Sequence, residues 1–470
     1  MRLLLRIAAI AVAGSALYAA GAVNGATQRQ PAAAGGLFTF IAVAAAIWLL
    51  IMALTGTGLG DAASPTPRSY VPALRAVFVF VAAMSLFGLL WLRGIPYPPE
   101  HDATSYHNDA IALDECAAQA LLRGEDPYAT FTLFRCYGER RLGADRTTPL
   151  RLGAFADVEV YPTEEQLDAA WDSRQREIAT SLGISWEPPP DFEFTWRLSY
   201  PALSVLLILP WVAAGWDANL IYVLCLLAAT ALVLLRAPAG TRPLVLTGLL
   251  AAASVPAFTA GGSADLLYAL PLVAAWLWRE RRGSAVALGV ASAVKQLAWP
   301  FAIFYLIQVA AQRGWSEAAR RAAIAAAVFG VANAPFVLWD PAAWLRGILT
   351  PIAEPMFARG AGLVTLSANG VLPFFPEWVY LALEVAVAAI AVVVAWRRRY
   401  TSPELGVVLA MVPLFFAHRS LFSYFFLLPL FAFAGLVRMP AGELEPAAIQ
   451  RAGALTVLAM PARGGPAGPR

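Results

Sequence analysis

Charged side chains are scarce in this sequence. Only 14% of the 470 residues are Asp, Glu, Lys or Arg, whereas 59% are hydrophobic and the mean hydropathy is +0.63. Soluble domains carry about 25% charged and roughly 45–50% apolar residues. The chain therefore has too little polar surface for a soluble particle. A cytosolic enzyme, a secreted disulfide scaffold and a disordered protein are excluded, and a polytopic membrane protein is indicated.

Cysteine, histidine and lysine are also rare. Three cysteines are too few for a disulfide framework or a Cys-rich metal site, although Cys116 and Cys136 share one polar loop in which a disulfide is chemically allowed. All basic residues except Lys295 are arginine, which reflects a GC-rich coding bias, so a single lysine kept inside an apolar segment stands out. No run of like charges is typical of a nucleic-acid tail, and no nucleic-acid partner is expected.

Long apolar runs fill most of the remaining sequence. A helix needs about 20 apolar residues to cross a hydrocarbon core of about 30 Å. The candidate spans are 3–23, 35–56, 71–92, 199–215, 217–235, 243–259, 263–278, 284–311, 320–338, 377–396, 404–417 and 421–437. The first run resembles a signal peptide, but two more spans follow it before any polar segment, so we interpret it as a retained anchor.

Two polar insertions divide the chain. By the positive-inside rule, the arginines around 279–282, 313–321 and 397–399 mark the cytoplasmic side, which places both insertions on the other side. The first insertion holds 19 acidic and 10 basic residues, so the acids are concentrated there. The expected units are 1–92 with three transmembrane helices, 93–198 as an acidic extracytoplasmic loop, 199–338 as transmembrane helices, 339–376 as a second extracytoplasmic loop, 377–437 as C-terminal transmembrane helices and 438–470 as a cytoplasmic tail.

Segment 284–311 cannot be one simple crossing, because basic clusters flank both of its ends. Pro300 divides it into halves too short to cross, and a broken or re-entrant helix pair is predicted. The parity of crossings requires a second irregularity: one of the four apolar segments between the first insertion and Arg279 must not span fully, and 199–215 and 243–259 are the best candidates. The predicted fold is an all-α bundle of about 10–13 transmembrane or re-entrant helices.

The acidic loop begins with a predicted helix over 103–123. Asp102, Tyr106 and Asp109 follow at i, i+4 and i+7 and share one face, while Gly124 ends the helix and a turn follows at 126–128. Asp102 could be a simple N-cap and the other acids could be solvated, but an acidic helix at the membrane face also suits the headgroup of a lipid-linked substrate.

Two further groups of residues could carry chemistry. Lys295 and Gln296 lie inside an apolar segment, where a cation either contacts a phosphate or extends to the membrane surface. For Asp265 helix capping is the favoured interpretation. His418, Arg419 and Tyr424 are expected in a tight outside turn, where Arg419 would be unpaired without an anion. The spacing of His101, Asp102 and His107 is not typical of a metal site. No cofactor is therefore expected, and a divalent metal is possible but not favoured.

The motifs together resemble the GT-C class of integral membrane glycosyltransferases, and within it glycosyltransferase family 87, which includes polyprenyl-phosphate-mannose-dependent mannosyltransferases. The resemblance covers roughly 75–437. The residues that carry it are Asp102, Tyr106, Gly124, Asp126, Pro127, Tyr128, Tyr200, Pro201, the 261–265 segment, Lys295, Trp299, Pro300, Asn333, Pro335, Asp340 and Pro341.

The resemblance implies a specific activity. It assigns the catalytic base to Asp102 and places Tyr106, Asp126, Tyr128 and Tyr200 among the substrate-binding residues. Because Asp109 shares the helix face of Asp102, it is the alternative base if the register differs. The expected reaction transfers mannose or another hexose or pentose from a polyprenyl-phosphate donor to an extracytoplasmic glycan or glycolipid acceptor, with inversion. The chain departs from the family in its two extra leading spans, its long acidic loop and its single proline after Tyr200.

Two other functions remain open at this point. A transporter or lipid-linked sugar flippase would also use broken helices and an intramembrane lysine, although no internal repeat is visible. A membrane scaffold that binds partners through its outside loop is the weaker alternative. The expected location is the bacterial inner membrane, with both termini cytoplasmic.

Overall fold

The computed structural model describes residues 2–27, 31–57, 109–130, Leu133, Cys136, 197–216, 218–260, 263–353 and 358–440. The predicted span 71–92, most of the acidic loop and the tail lie outside these residues. Helices dominate the described part, as the all-α prediction requires, and five of them are long and apolar enough to cross a membrane. These five are α1 Arg2–Thr27, α2 Ala33–Thr55, α5 Asn219–Arg236, α11 Trp315–Trp339 and α14 Glu377–Arg397.

The other helices are shorter than a membrane span. They are α3 Asp109–Leu122, α4 Leu203–Ala213, α6 Arg242–Ala251, α7 Ser254–Ala260, α8 Leu266–Leu277, α9 Ser284–Val294, α10 Trp299–Arg313, α12 Pro341–Ala353, α13 Val364–Ala368, α15 Gly406–Leu409 and α16 Leu428–Leu436. Single 3₁₀ turns lie at Ala239–Thr241, Gln296–Ala298, Pro403–Leu405, Pro413–Phe415 and Phe422–Tyr424.

Arginines gather at one end of the bundle, and buried contacts join several helices there. Arg279, at the end of α8, forms a bidentate ion pair with Glu404, with N–O distances of 2.7 and 2.5 Å. Arg438 contacts Glu280 at 2.7 Å, and Arg236 contacts the same carboxylate at 3.2 Å. This end is called the basic end. Arg279 is 2% exposed. It therefore joins helices inside the bundle, in addition to being one of the arginines from which the topology is predicted.

The segment 284–313 enters and leaves at the basic end. Arg282, just before α9, contacts Glu317, near the start of α11, at 3.2 Å. Helices α9 and α10 lie between these two residues and are separated by extended backbone at Lys295 (φ −152°, ψ 141°). The predicted break within this segment is present, but it lies at Lys295 rather than at Pro300. Pro300 lies in the first turn of α10, where its missing N–H costs nothing.

Both segments suspected of not spanning are short in the structure. Helix α4 has 11 residues, which at 1.5 Å per residue is about 16 Å, roughly half of the hydrocarbon thickness. Segment 243–259 is divided into α6 and α7 at Ala252–Ala253. Neither forms one continuous crossing helix, whereas the parity argument requires only one of them to fall short.

A small parallel bridge joins the second insertion to the segment after α15. Strand β1, Arg359–Gly360, pairs with strand β2, Arg419–Ser420. Gly360 has φ +143°, and a Cβ atom there would lie 2.0 Å from the Ser420 carbonyl oxygen. Only glycine allows the two backbones to approach this closely, so Gly360 fixes the position of the 418–420 segment.

Candidate functional site

Helices α9 and α10 are called the re-entrant hairpin, and the residues between them, 295–298, are its tip. A buried ion pair lies at this tip. The Lys295 ammonium donates a hydrogen bond to the Asp265 carboxylate, and both side chains are nearly excluded from solvent. The ring of Tyr200 lies 4.6 Å from the Lys295 nitrogen and adds a cation–π contact. Asp265 stands at the start of α8 and Lys295 at the end of α9, so each charge also complements the dipole of its helix.

The expectation that Asp265 caps α8 with its side chain is wrong. Asp265 occupies the N-cap position, but its carboxylate makes no capping hydrogen bond. An N-cap stabilises a helix by about 1 kcal/mol, whereas an unpaired buried charge costs about 3–5 kcal/mol, so pairing with Lys295 dominates. Lys295 likewise does not extend to the membrane surface, because it is 9% exposed and engaged by Asp265.

Asp114 adds a second carboxyl beside this pair, and the sequence reasoning missed it. It projects from α3, the helix of the acidic loop, which packs against α4. Asp114 is 1% exposed, and burial raises the pKa of its carboxyl to about 7, with Ser204 and Lys295 acting in the opposite direction. A signal existed in the sequence: Asp114 follows Ile111 and precedes Ala118 at helical spacing, on the apolar face of α3.

Three predicted substrate-binding residues hold the walls of the site together. The Tyr128 hydroxyl donates to the Tyr200 carbonyl oxygen at 2.7 Å, and the Asp126 carboxylate accepts from the Tyr128 backbone N–H at 2.9 Å. The Gln296 amide donates to the carbonyl oxygens of Ser199 at 2.5 Å and Ile348 at 3.3 Å. These contacts fix the loop 126–130, residues 199–200 and helix α12 around the hairpin tip. Asp126, Tyr128 and Gln296 thus hold these segments in position.

Asn333 performs a similar role on the other side of residue 200. Its side-chain oxygen accepts from the Ala202 backbone N–H and from the Trp344 indole, both at 3.0 Å. Its amide nitrogen donates to the Phe329 carbonyl oxygen at 2.9 Å. Asn333 therefore ties α11 to the start of α4 and to α12.

The 418–424 segment approaches the same region from α15. His418 packs against Tyr380 with ring centroids 5.5 Å apart, and burial lowers the pKa of its imidazole. Tyr424 is within electrostatic range of Arg419, Lys295 and Asp265. Arg419 already has an interaction within the chain, so the expectation that it would be unpaired is wrong. The structure thus brings Tyr424 and Arg419 toward the Lys295–Asp265 pair.

Several predicted residues lie outside the described part of the chain. Asp102 and Tyr106 are among them, with His101 and His107, and only the backbone of Asp109, at the first position of α3, is described. Within the described ranges, no group of three or more His, Cys, Asp or Glu side chains could hold a metal ion.

The loop that would carry the base is anchored by a disulfide. Cys116, on α3, is bonded to Cys136, which answers the question left open by the sequence. Gly124 ends α3 with φ +76°, as predicted. The start of the acidic loop is therefore fixed against α4 and, through Asp114, beside the hairpin tip.

Comparison with known proteins identifies the family. The sequence model of glycosyltransferase family 87 matches residues 198–423, a stretch that begins beside Tyr200 and includes the hairpin tip and Arg419. Over this stretch, slightly less than half of the chain, the sequence matches glycosyltransferase family 87. It is a membrane glycosyltransferase. No curated protein and no solved structure matches it significantly. The family match ends before Tyr424 and does not include the acidic loop, so the role of Asp102 depends on separate arguments.

Proposed function

We propose that this membrane glycosyltransferase takes its sugar, mannose or another hexose or pentose, from a polyprenyl-phosphate donor. The acceptor is an extracytoplasmic glycan or glycolipid. The observation that supports this most directly is the convergence at the hairpin tip: Lys295–Asp265, Tyr200 and Asp114 lie where the family 87 region meets the acidic loop. A donor with its lipid in the bilayer and its sugar outside needs such a polar centre next to a membrane.

The proposed reaction is a single inverting displacement. The acceptor oxygen forms a bond to the anomeric carbon, the bond from that carbon to the phosphate oxygen breaks, and polyprenyl phosphate leaves with the electron pair. Asp102 takes the proton of the acceptor hydroxyl, and Asp109 is the alternative base. Cations stabilise the leaving phosphate, and Arg419 and Lys295 are the candidates. For Lys295, this role requires its ammonium to move from the Asp265 carboxylate to the phosphate. No covalent nucleophile is required, and no metal is assigned a role.

The test is a matched pair of variants, Asp102→Asn and Asp109→Asn, in membranes supplied with labelled polyprenyl-phosphate sugar. We expect Asp102→Asn to lower transfer at least about 100-fold while insertion and yield stay unchanged. Asp109→Asn should retain most activity. The reverse pattern would assign the base to Asp109. Full activity of both variants would refute a base on this helix face.

A transporter of lipid-linked sugars is the second candidate, and the break between α9 and α10 at Lys295 favours it. The two functions predict different products. A transferase joins labelled sugar to an acceptor in detergent, where no sealed compartment exists, whereas a flippase needs a vesicle and leaves the sugar–phosphate bond intact. We further propose the bacterial inner membrane as the location, with the basic end, and hence both termini, on the cytoplasmic side.

A further inference from the structure

Helix α14 carries a carboxyl group inside its apolar run. The helix has 21 residues, Glu377–Arg397, and at 1.5 Å per residue it is about 31 Å long, close to the hydrocarbon thickness. Glu384 lies seven residues after Glu377, which is about 10 Å into the helix. Ionisable residues at such depth are costly, and those that persist mark substrate or ion pathways.

Glu384 faces the protein rather than the lipid. Tyr380, one turn earlier, is fully buried, and Ala391, two turns later, is 3% exposed, so Glu384 lies on the inward stripe of the helix. Leu381 and Val385 are each 59% exposed and mark the lipid-facing side. The carboxyl therefore points toward the bundle, where apolar packing would be expected.

No partner for Glu384 is found among the residues that the structure describes. No described side chain donates a hydrogen bond to it or forms an ion pair with it. Its carboxyl is partly buried. The buried acids Glu404 and Asp265 are both ion-paired. A lone inward carboxylate destabilises the bundle, so folding alone does not explain Glu384.

Residues 413–424, which pack against α14, extend to the candidate site. Helix α14 packs against the turn Pro413–Phe415, and Tyr380 contacts His418. Tyr424 is within electrostatic range of Glu384 and also of Lys295 and Asp265. Tyr424 is thus near both the Glu384 carboxyl and the ion pair at the hairpin tip.

We propose that Glu384 binds hydroxyl groups of the donor's sugar, on the side of α14 that faces residues 413–424. The inference rests on the proposed function and adds a sugar-binding residue to it. A carboxylate accepts hydrogen bonds from two neighbouring hydroxyls but repels phosphate. The sugar then lies toward Glu384, and the phosphate lies toward Arg419 and Lys295.

The experiment compares two lipids in nanodiscs by native mass spectrometry. One is polyprenyl phosphate linked to mannose or to a pentose, and the other is polyprenyl phosphate without sugar. The variants are Glu384→Leu and Glu384→Gln, with Val385→Leu as the control on the lipid-facing side. We expect Glu384→Leu to weaken binding of the sugar-linked lipid about tenfold or more and to leave binding of the sugar-free lipid unchanged. Glu384→Gln should lie between, since an amide retains one acceptor oxygen.

The thermal stability of the same samples separates a binding role from a structural one. Glu384→Leu should melt at the wild-type temperature or above it, because leucine suits an apolar interface. Equal weakening of both lipids, or a lower melting temperature, would show a structural role and overturn the proposal. Unchanged binding of both lipids by Glu384→Leu would also overturn it, while leaving the proposed function intact. If the wild-type protein binds neither lipid, the proposed function fails, and this inference fails with it.

Discussion

Breaking the ion pair at the hairpin tip should destabilise the whole bundle. The change is Asp265→Asn, which leaves the Lys295 ammonium buried without its carboxylate. The side chains of Lys295 and Asp265 are 11% and 6% exposed, so solvent cannot replace the lost partner. Removing one partner of a buried pair costs about 3–5 kcal/mol, whereas the Tyr200 ring contributes only about 0.5–2 kcal/mol.

The double variant Asp265→Asn/Lys295→Met decides whether this cost comes from the orphaned charge. With both charges removed, the bundle should recover most of the lost stability, because methionine fills similar volume without an ammonium to solvate. We therefore expect the single variant to be less stable than the double variant by about 2–4 kcal/mol.

Thermal unfolding of the purified protein, followed by the fluorescence of its 15 tryptophans, measures the effect. The single variant should melt at least about 5 °C below the wild-type protein. Arg282→Gln is the control. Its side chain is 65% exposed, and Glu317 keeps its ion pair with Arg321, so the change should cost less than about 1 kcal/mol. If the double variant is as unstable as Asp265→Asn alone, the reasoning from an unpaired charge is wrong.

Two further predictions concern the walls of the site. Asp114 keeps its proton in the folded protein up to a pH of about 7 but releases it near pH 4 when unfolded. Stability should therefore fall as the pH rises from about 4 through about 7, by a few kcal/mol at about 1.4 kcal/mol per pKa unit, and Asp114→Asn should flatten this dependence in melting curves. An unchanged pH dependence in that variant would count against a buried protonated carboxyl. Gly360→Ala should destabilise the protein by about 1–3 kcal/mol, because the new methyl group would collide with the Ser420 carbonyl. Gly330→Ala, in an open helical position, should instead stabilise it by about 0.5–1 kcal/mol, and equal melting temperatures for the two glycine variants would contradict the argument.

The sequence predicted the bundle because hydrophobicity is a local property of each segment. The runs behind α1, α2, α5, α11 and α14 agree with the helices to within a few residues, except that α11 begins five residues before its predicted span. The re-entrant pair was predicted mainly from charge, since arginines on both sides of 284–311 excluded a single crossing. The exact break did not follow, because Pro300 fits the first turn of a helix as well as it ends one.

The candidate site was only partly predictable, for a different reason. Lys295 stood out as the single lysine of the chain. Its pairing with Asp265 depends on how α8 and α9 pack, and no local pattern contains that information. Asp114 looked like a solvated acid because the surface that buries it belongs to α4, about 90 residues further along the chain. Long-range contacts, rather than residue types, decide these roles.

The re-entrant hairpin also constrains how the protein is assembled. Because 284–313 begins and ends at the basic end, no polar loop beyond it has to be carried across the bilayer during synthesis. If the hairpin inserted alone, the lysine at its tip would lie in lipid without a partner. Its carboxylate partner lies 30 residues earlier in the chain and is synthesised before it. We therefore expect helix α8 to be in place before the hairpin enters the membrane, so that the order of synthesis helps to build the site.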